Sequence, residues 1–421
     1  MMPTCAGARL RYQLDRNSQG YQTLYNQRTA TERINSQALA LGIERPHLRR
    51  QSAIANQNTL IHVLINLRAL QRIAEAGSVR LDADVVRPVG IGVSRSQEAL
   101  EGLAREAGLE HHATDLRAAV DTARRLNPAH QIYHNTVATG IRRQVLADAL
   151  PLLDPATTAV FMEKPLAPHY ADGRAIVAAL EEGGFRHGVV HQFLTTPGVS
   201  MALELIPQIR PLSAQMLFGY EVGPGLEGNA EYSGQRPDFN WTLAAAGGGI
   251  ILDMSHEGYL SEALFGETES LSAVARLLVP QRLSTDGHTV IDCDVEDYAA
   301  LRRQHTSGVV NTSVWSWYRR VNSEFGPLEI TVDGEMGSIV FGLYGLKVQW
   351  RETAPANRWE RSVSGVKTDW RAPWQDLDLL DRDPFAVELG DYILAVLTGT
   401  PYPKDAIHAL NLLGQVEAFY T

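Results

Sequence analysis

Two short stretches of this chain could do acid–base chemistry together. Residues 161–165 read Phe-Met-Glu-Lys-Pro, and residues 247–257 read Gly-Gly-Gly-Ile-Ile-Leu-Asp-Met-Ser-His-Glu. The first puts Lys164 at the end of an expected strand. The second puts Asp253 and His256 at the start of an expected helix, three residues apart and so on one face. An amine, a carboxylate and an imidazole form a set able to move a proton while a hydride moves. Composition singles out Lys164 as well, because the chain has four lysines among 38 basic residues. Where arginine is the habitual cation, a lysine in an apolar strand-turn marks a position that needs a titratable amine. The structural alternatives are a snorkelling surface lysine and, for His256, a satisfied structural imidazole.

These groups need a scaffold, and the pattern around them supplies one. From about Gly77, strands are expected at Pro88–Ser94, Ile132–Asn135 and Ala159–Met162, with helices at Gln97–Ala107, Asp115–Leu126 and Thr139–Leu153. Such alternation predicts an α/β fold with a parallel, Rossmann-like sheet. Beyond about Ala171, one more helix and a strand at Gly188–Phe193 precede alternating stretches at Ala299–Arg303, Val309–Trp317, Leu328–Val332 and Ser338–Phe341. Val332-Asp333-Gly334-Glu335 reads as a hairpin turn. This half predicts an α+β domain with a large, mainly antiparallel sheet, closed by helices at 384–398 and 404–420. Before Gly77, helices are expected at 28–41 and roughly 53–74, a short helical extension. The expected divisions are thus 1–76, 77–170 and 171–421.

Several residues sit where such a fold places ligands. His134, Asn135 and Thr136 close a strand ahead of the helix at Thr139, where open α/β sheets bind. Capping of that helix by Asn135 or Thr136 is the alternative. His191 and Gln192 follow Val189-Val190 and are candidates to line a substrate pocket. The triple glycine 247–249 would let backbone pass close to a substrate or cofactor.

From about Gly77 to the C-terminus the chain resembles the Gfo/Idh/MocA oxidoreductases, the glucose-fructose oxidoreductase and inositol dehydrogenase family. The carrying motifs are Glu163-Lys164-Pro165, the segment Gly247–Glu257 with Tyr259 and Leu264-Phe265-Gly266, and Asp333-Gly334-Glu335-Met336-Gly337-Ser338. The resemblance implies NAD(P)-dependent oxidation or reduction of a sugar or polyol. It implies that Lys164 lies near the nicotinamide and the substrate hydroxyl, that His256 is the general acid/base, and that Asp253 assists it. It assigns Asn135, Thr136, Glu163 and Lys164 to the cofactor, and His191, Gln192, Lys164 and His256 to the substrate. Trp241, Trp315 and Trp317 could face a sugar, although sheet aromatics more often belong to the core. Two departures stand out: relatives often space the Asp/His pair four apart, and often carry aspartate where this chain has Tyr259.

The first strand and its Gly-x-Gly-x-x-Gly turn, which cradle a pyrophosphate in a Rossmann domain, have no counterpart in the expected place. Gly223–Gly228 matches the pattern but leads into a loop, so its context fails. Gly90 and Gly92 read as strand glycines. Ser94 and Arg95 follow that strand where the ribose-reading residue belongs. An arginine there suits the 2′-phosphate of NADP rather than NAD, unless it merely caps a solvent-facing turn. Residues 1–75 instead resemble the C-terminal end of an insertion-sequence DDE transposase, through Tyr25, Arg28 and Glu32. One carboxylate cannot build a two-metal site. A domain truncated in this way would bind cofactor weakly or not at all. The expected function is therefore a nicotinamide-dependent sugar or polyol oxidoreductase, with a non-catalytic sugar-binding remnant as the alternative and a DNA-binding fragment behind both.

Composition sets the remaining bounds. The chain is 44% hydrophobic and 20% charged, with a net charge of −10, ordinary soluble material. Residues 1–76 hold ten arginines and four carboxylates, yet no aromatic interleaving supports nucleic-acid binding. No apolar run is long enough to span a bilayer, and the first residues do not form a signal peptide. Two separated cysteines argue against a disulfide framework or a zinc site, so a cytoplasmic protein without a structural metal is expected. Self-association into a homo-oligomer is expected from the resemblance.

Overall fold

The computed structural model describes residues 91–93, 97, 100–102, 105, 111–126, 128–222, 238–284, 288–354, 371 and 373–420. The expected N-terminal extension, Ser94 and Arg95, the question of a first strand and glycine turn, and Gly223–Gly228 lie outside these residues.

The first half is parallel. Strand β1 (Ile91–Val93) pairs with β2 (His111–Ala113). Helix α1 (Leu116–Leu126) follows, its start capped by Asp115, whose side chain accepts the Ala118 N–H at 2.8 Å. Next come β3 (Gln131–Asn135), α2 (Thr139–Ala149), β4 (Thr158–Met162), α3 (Tyr170–Glu182) and β5 (Arg186–Val189). Strands β3, β4 and β5 form one parallel sheet in that order. All five residues of β4 are buried, the signature of a strand covered on both faces. The chain leaves β5 at Val189, and Gln192–Thr195 forms a 3-10 turn. The strand expected at Gly188–Phe193 thus ends sooner, because His191 turns its amide to a buried carboxylate, that of Glu388.

The second half opens with α4 (Pro197–Ile209) and β6 (Pro211–Gly219). Among the described residues three α-helices follow: α5 (Leu243–Ala246), α6 (Ile250–Asp253) and α7 (His256–Phe265). The remaining strands are β7 (Thr268–Arg276), β8 (Gln281–Leu283), β9 (Val290–Asp292), β10 (Tyr298–His305), β11 (Val310–Ser316), β12 (Leu328–Gly334), β13 (Gly337–Phe341), β14 (Leu346–Trp350) and β15 (Gln375–Asp376). Seven of them join β6 in an eight-stranded sheet of order β15-β14-β13-β12-β6-β11-β10-β7. Its neighbours are antiparallel except β6 and β11, which run parallel. The expected hairpin is the β12–β13 turn, with Asp333 opposite Ser338. Burial alternates along β12 and β13, so one face packs inward. That face carries Trp315, Trp317, Phe218, Ile330 and Phe341, which share a core with Val160 and Met162 of β4. The three tryptophans 241, 315 and 317 are core residues.

Helices α8 (Pro384–Thr398) and α9 (Ala406–Glu417) return to the parallel sheet. Tyr392 of α8 donates to the Val160 carbonyl at 2.7 Å and stacks on Phe161. The C-terminal helices therefore reach the strand that leads into Lys164.

Candidate active site

Lys164 sits at the C-terminal end of β4, in a turn whose Lys164–Pro165 peptide is cis. Its Nζ donates to the Asp253 carbonyl at 2.6 Å and lies 3.9 Å from the Asp253 carboxylate. Both side chains are mostly buried, at 17% and 20% exposure, so this amine is no surface snorkel. The turn is held from beneath by Arg142 of α2. That guanidinium is buried and donates to the carbonyls of Pro165, Leu166 and Val137. Burial lowers its pKa to about 10, against the raising influence of Glu163 and Tyr133. It remains a cation at neutral pH.

Glu163 and Asn135 end adjacent strands, joined where the Glu163 N–H meets the Asn135 carbonyl at 3.1 Å. The Asn135 amide donates to the Tyr133 hydroxyl at 3.2 Å. Helix α2 begins after Ala138 without a side-chain cap, so neither Asn135 nor Thr136 serves as one. Asn135 Oδ1 and Glu163 Oε1 are buried acceptors with no hydrogen bond among the described residues. His134 Nε2 approaches Glu163 to 3.9 Å. Beside this edge lies a cleft of about 210 Å³, lined by Thr139, Gly140, Pro165, Asn240, Gly248 and Asp253 among others.

The triple glycine serves the protein's own packing. Gly247 has φ +85, and a Cβ there would stand 2.4 Å from Pro168. At Gly249 a Cβ would lie 1.9 Å from the Glu296 carbonyl. The Glu296 carboxylate in turn accepts the N–H groups of Gly249 at 3.0 Å and Ile251 at 3.1 Å, and the Tyr420 hydroxyl at 2.7 Å. A carboxylate at the first turn of α6 satisfies donors that would otherwise be orphaned. Gly247 and Gly249 make close approaches to Pro168 and Glu296, and Gly248 between them lines the cleft.

Asp253 and His256 do not share one helix. Helix α6 ends at Asp253, and α7 starts at His256 after a break at Met254–Ser255. The two segments are anchored separately, α6 by Glu296 and α7 by Glu257. Buried Glu257 pairs with Arg303 of β10 at 2.7 Å and accepts from Ser261 and Ser313. His256 is buried, stacked on Phe193 at 3.8 Å between ring centroids, with Nδ1 hydrogen-bonded to the Tyr259 hydroxyl.

Behind this ring lies a second polar cluster. His191 stacks on Tyr259 at 4.2 Å, and its backbone N–H donates to Glu388 of α8 at 2.6 Å. Lys404 reaches the same carboxylate at 3.2 Å. Burial pushes the Glu388 carboxyl up to about 7, against the opposing pull of Lys404 and the His191 N–H. Burial likewise holds His191 well below the usual imidazole range, helped by His408 and Lys404. Gln192 lies in the adjoining 3-10 turn, its Oε1 buried without a hydrogen bond among the described residues.

The structure thus brings Lys164 against Asp253, Glu163 beside Asn135, and His256 beside His191's neighbour Tyr259. Sequence reasoning missed Arg142, Glu296, Glu388 and the role of Tyr259. Only Tyr259 carried a signal, as the residue that replaces an expected aspartate. Among the described residues, no helix is long and apolar enough to cross a membrane.

Comparison with known proteins agrees with this architecture. Residues 215–340 match the GFO/IDH/MocA C-terminal domain. Over 319 residues the chain is 28% identical to a D-xylose dehydrogenase of Paenarthrobacter nicotinovorans, spanning 74% of this chain and 78% of that protein. The fold is similar to a levoglucosan dehydrogenase in complex with NADH and levoglucosan, with a TM-score of 0.66 at 16% identity over 85% of this chain and 93% of the other. It is equally similar to an NAD binding oxidoreductase from Klebsiella pneumoniae, with a TM-score of 0.66 at 17% identity and the same coverage.

Proposed function

We propose that the whole chain is a GFO/IDH/MocA-type oxidoreductase that uses a nicotinamide cofactor on a secondary hydroxyl, or the matching carbonyl, of a sugar or polyol. The carrying observation is Lys164, mostly buried at the carboxyl edge of the parallel sheet and held against Asp253. A D-xylose dehydrogenase relative and NADH- and levoglucosan-bound neighbours support the substrate class and the cofactor. The parallel domain and the antiparallel domain would then be the cofactor and substrate halves.

The residues at the sheet edge fit such a cofactor. Asn135 Oδ1 and Glu163 Oε1 are buried acceptors in want of donors, and the uncapped start of α2 opens on the adjacent cleft. These are groups that could take an amide and ribose hydroxyls at the end of an open sheet. When bound, the nicotinamide supplies hydride exchange with the carbinol carbon. In this reading Lys164 polarises and orients the reacting oxygen, Asp253 holds the Lys164 amine in place, and His256 hydrogen-bonds the same oxygen. His191 and Gln192 border the substrate side.

The test is titration of the full chain with NADH and with NADPH, followed by nicotinamide fluorescence, and then turnover of D-xylose, levoglucosan and a polyol panel. Saturable micromolar binding of one cofactor is expected. Lys164→Ala should lose turnover by roughly 10²–10⁴-fold. Folded protein that binds neither cofactor up to millimolar concentration overturns the proposal. The preferred cofactor reports on whether the segment containing Ser94 and Arg95 reads a 2′-phosphate.

A further inference from the structure

Hydrogen-bond accounting around Tyr259 determines which nitrogen of His256 carries the proton. Tyr259 is fully buried in the first turn of α7. Among the described residues its hydroxyl meets two groups, the Phe193 backbone N–H at 3.4 Å and His256 Nδ1. The amide can only donate, so the phenolic oxygen accepts there. The phenolic hydrogen is left with one acceptor, Nδ1. If Nδ1 carried a hydrogen, the buried phenol would keep a donor with no partner, which native interiors avoid. Burial also holds the phenol well above its ordinary pKa range, so it stays a donor. A flip of the imidazole would break this contact, and the ring plane is already fixed by Phe193, stacked at 13°.

We infer that Tyr259 is a positioning residue that locks neutral His256 as the Nε2–H tautomer, so the ring gives the reacting oxygen a hydrogen bond while Lys164 carries the exchanged proton. An aspartate at position 259 would act the other way. It would accept from Nδ1–H and leave Nε2 as a base. In the oxidative direction the carbinol O–H bond breaks and its proton passes to the Lys164 amine. The C–H electron pair leaves as hydride to the oxidised nicotinamide, and the C=O bond forms. In reduction the Lys164 ammonium returns the proton. His256 keeps its Nε2 hydrogen throughout.

The assignment of roles rests on the proposed function, whereas the tautomer stands alone and can be read without cofactor or sugar. The measurement is a long-range proton–nitrogen correlation spectrum of the full chain labelled with ¹⁵N-histidine, with His256 assigned through His256→Gln. The expected spectrum shows a hydrogen-free Nδ1 and a hydrogen-bearing Nε2. Tyr259→Phe, which keeps the ring and loses the hydroxyl, should bring in the Nδ1–H form. An Nδ1–H tautomer in the parent protein, or an unchanged tautomer in folded Tyr259→Phe, overturns the inference. If Tyr259→Phe does not fold, the parent spectrum decides.

Turnover tests the assignment of the proton. Glutamine at position 256 can donate a hydrogen bond but cannot carry a proton, so His256→Gln should lower turnover by about tenfold, the cost of one degraded hydrogen bond, and far less than Lys164→Ala does. A loss as deep as that of Lys164→Ala refutes the division of labour. An Nε2–H spectrum from protein that turns over no sugar would instead sink the dehydrogenase reading and leave the tautomer intact.

Discussion

Replacing Arg142 by methionine should loosen the turn that presents Lys164. The guanidinium is 1% exposed and gathers three backbone carbonyls, those of Pro165, Leu166 and Val137. All three lie outside helices and strands, and a thioether offers them no donor. A hydrogen bond to a charged donor is worth about 1.5–3 kcal/mol, and a buried acceptor left without one costs about 1–3 kcal/mol. Against that, methionine removes the cost of burying a cation, which alone can offset a few kcal/mol. The net expectation is a loss of about 2–4 kcal/mol, read as a shift in the urea midpoint followed by tryptophan fluorescence. Turnover should fall further than stability accounts for. A Lys164 displaced by even an ångström can cost on the order of 10²-fold in rate. Arg142→Lys, with its charge but no planar fork, should recover only part of either loss. A methionine variant that loses under about 1 kcal/mol and keeps its turnover would show that the guanidinium does not hold the turn.

Two further substitutions probe the surrounding frame. In Gly249→Ala the new Cβ would meet the Glu296 carbonyl at 1.9 Å and its carboxylate at 2.6 Å. That carbonyl already accepts the Ile250 N–H at 2.9 Å, so the backbone cannot yield cheaply. A loss of about 3 kcal/mol is expected in thermal unfolding, and an unchanged Tm would contradict the close approach. Glu388→Gln tests a pH effect. Because burial raises the folded-state pKa from 4.5 to about 7, the folded protein holds this proton more tightly than the unfolded chain. The contribution is complete below the unfolded value and is lost as pH rises through the folded one. It amounts to something on the order of 3 kcal/mol between about pH 4.5 and 7. The glutamine variant should show a flatter stability profile between pH 5 and 8, and an unaltered slope would refute the assignment.

The architecture was legible because its signals are local. An unbroken apolar run such as Ala159–Met162 declares a strand buried on both faces. The alternation in Leu328–Val332 and Ser338–Phe341, with Asp-Gly-Glu between them, declares a hairpin. Less visible were elements whose patterns resemble something else. Strand β6 is parallel to β11 although its other neighbour is antiparallel, and such pairing is a property of topology rather than of residue order. Strand β5 stopped short of its apolar run because of Glu388, 197 residues further along the chain.

The site divides along the same line. Lys164, Asp253 and His256 announce themselves because each lies in a contiguous motif that puts reactive types beside glycine or proline. Their supports do not, since each comes from a distant element and looks ordinary where it stands. Arg142 reads as one more arginine on an amphipathic helix, and Glu296 as one more acid in a loop. Even the pair that seemed simplest, Asp253 and His256 on one helical face, depended on tertiary anchors. Glu296 fastens the first segment and Arg303, through Glu257, fastens the second, and the helix breaks between them. That break turns His256 toward Phe193 and Tyr259 while Asp253 stays with Lys164. Two titratable residues three positions apart thereby acquire different partners, the Lys164 amine for Asp253 and the Tyr259 hydroxyl for His256.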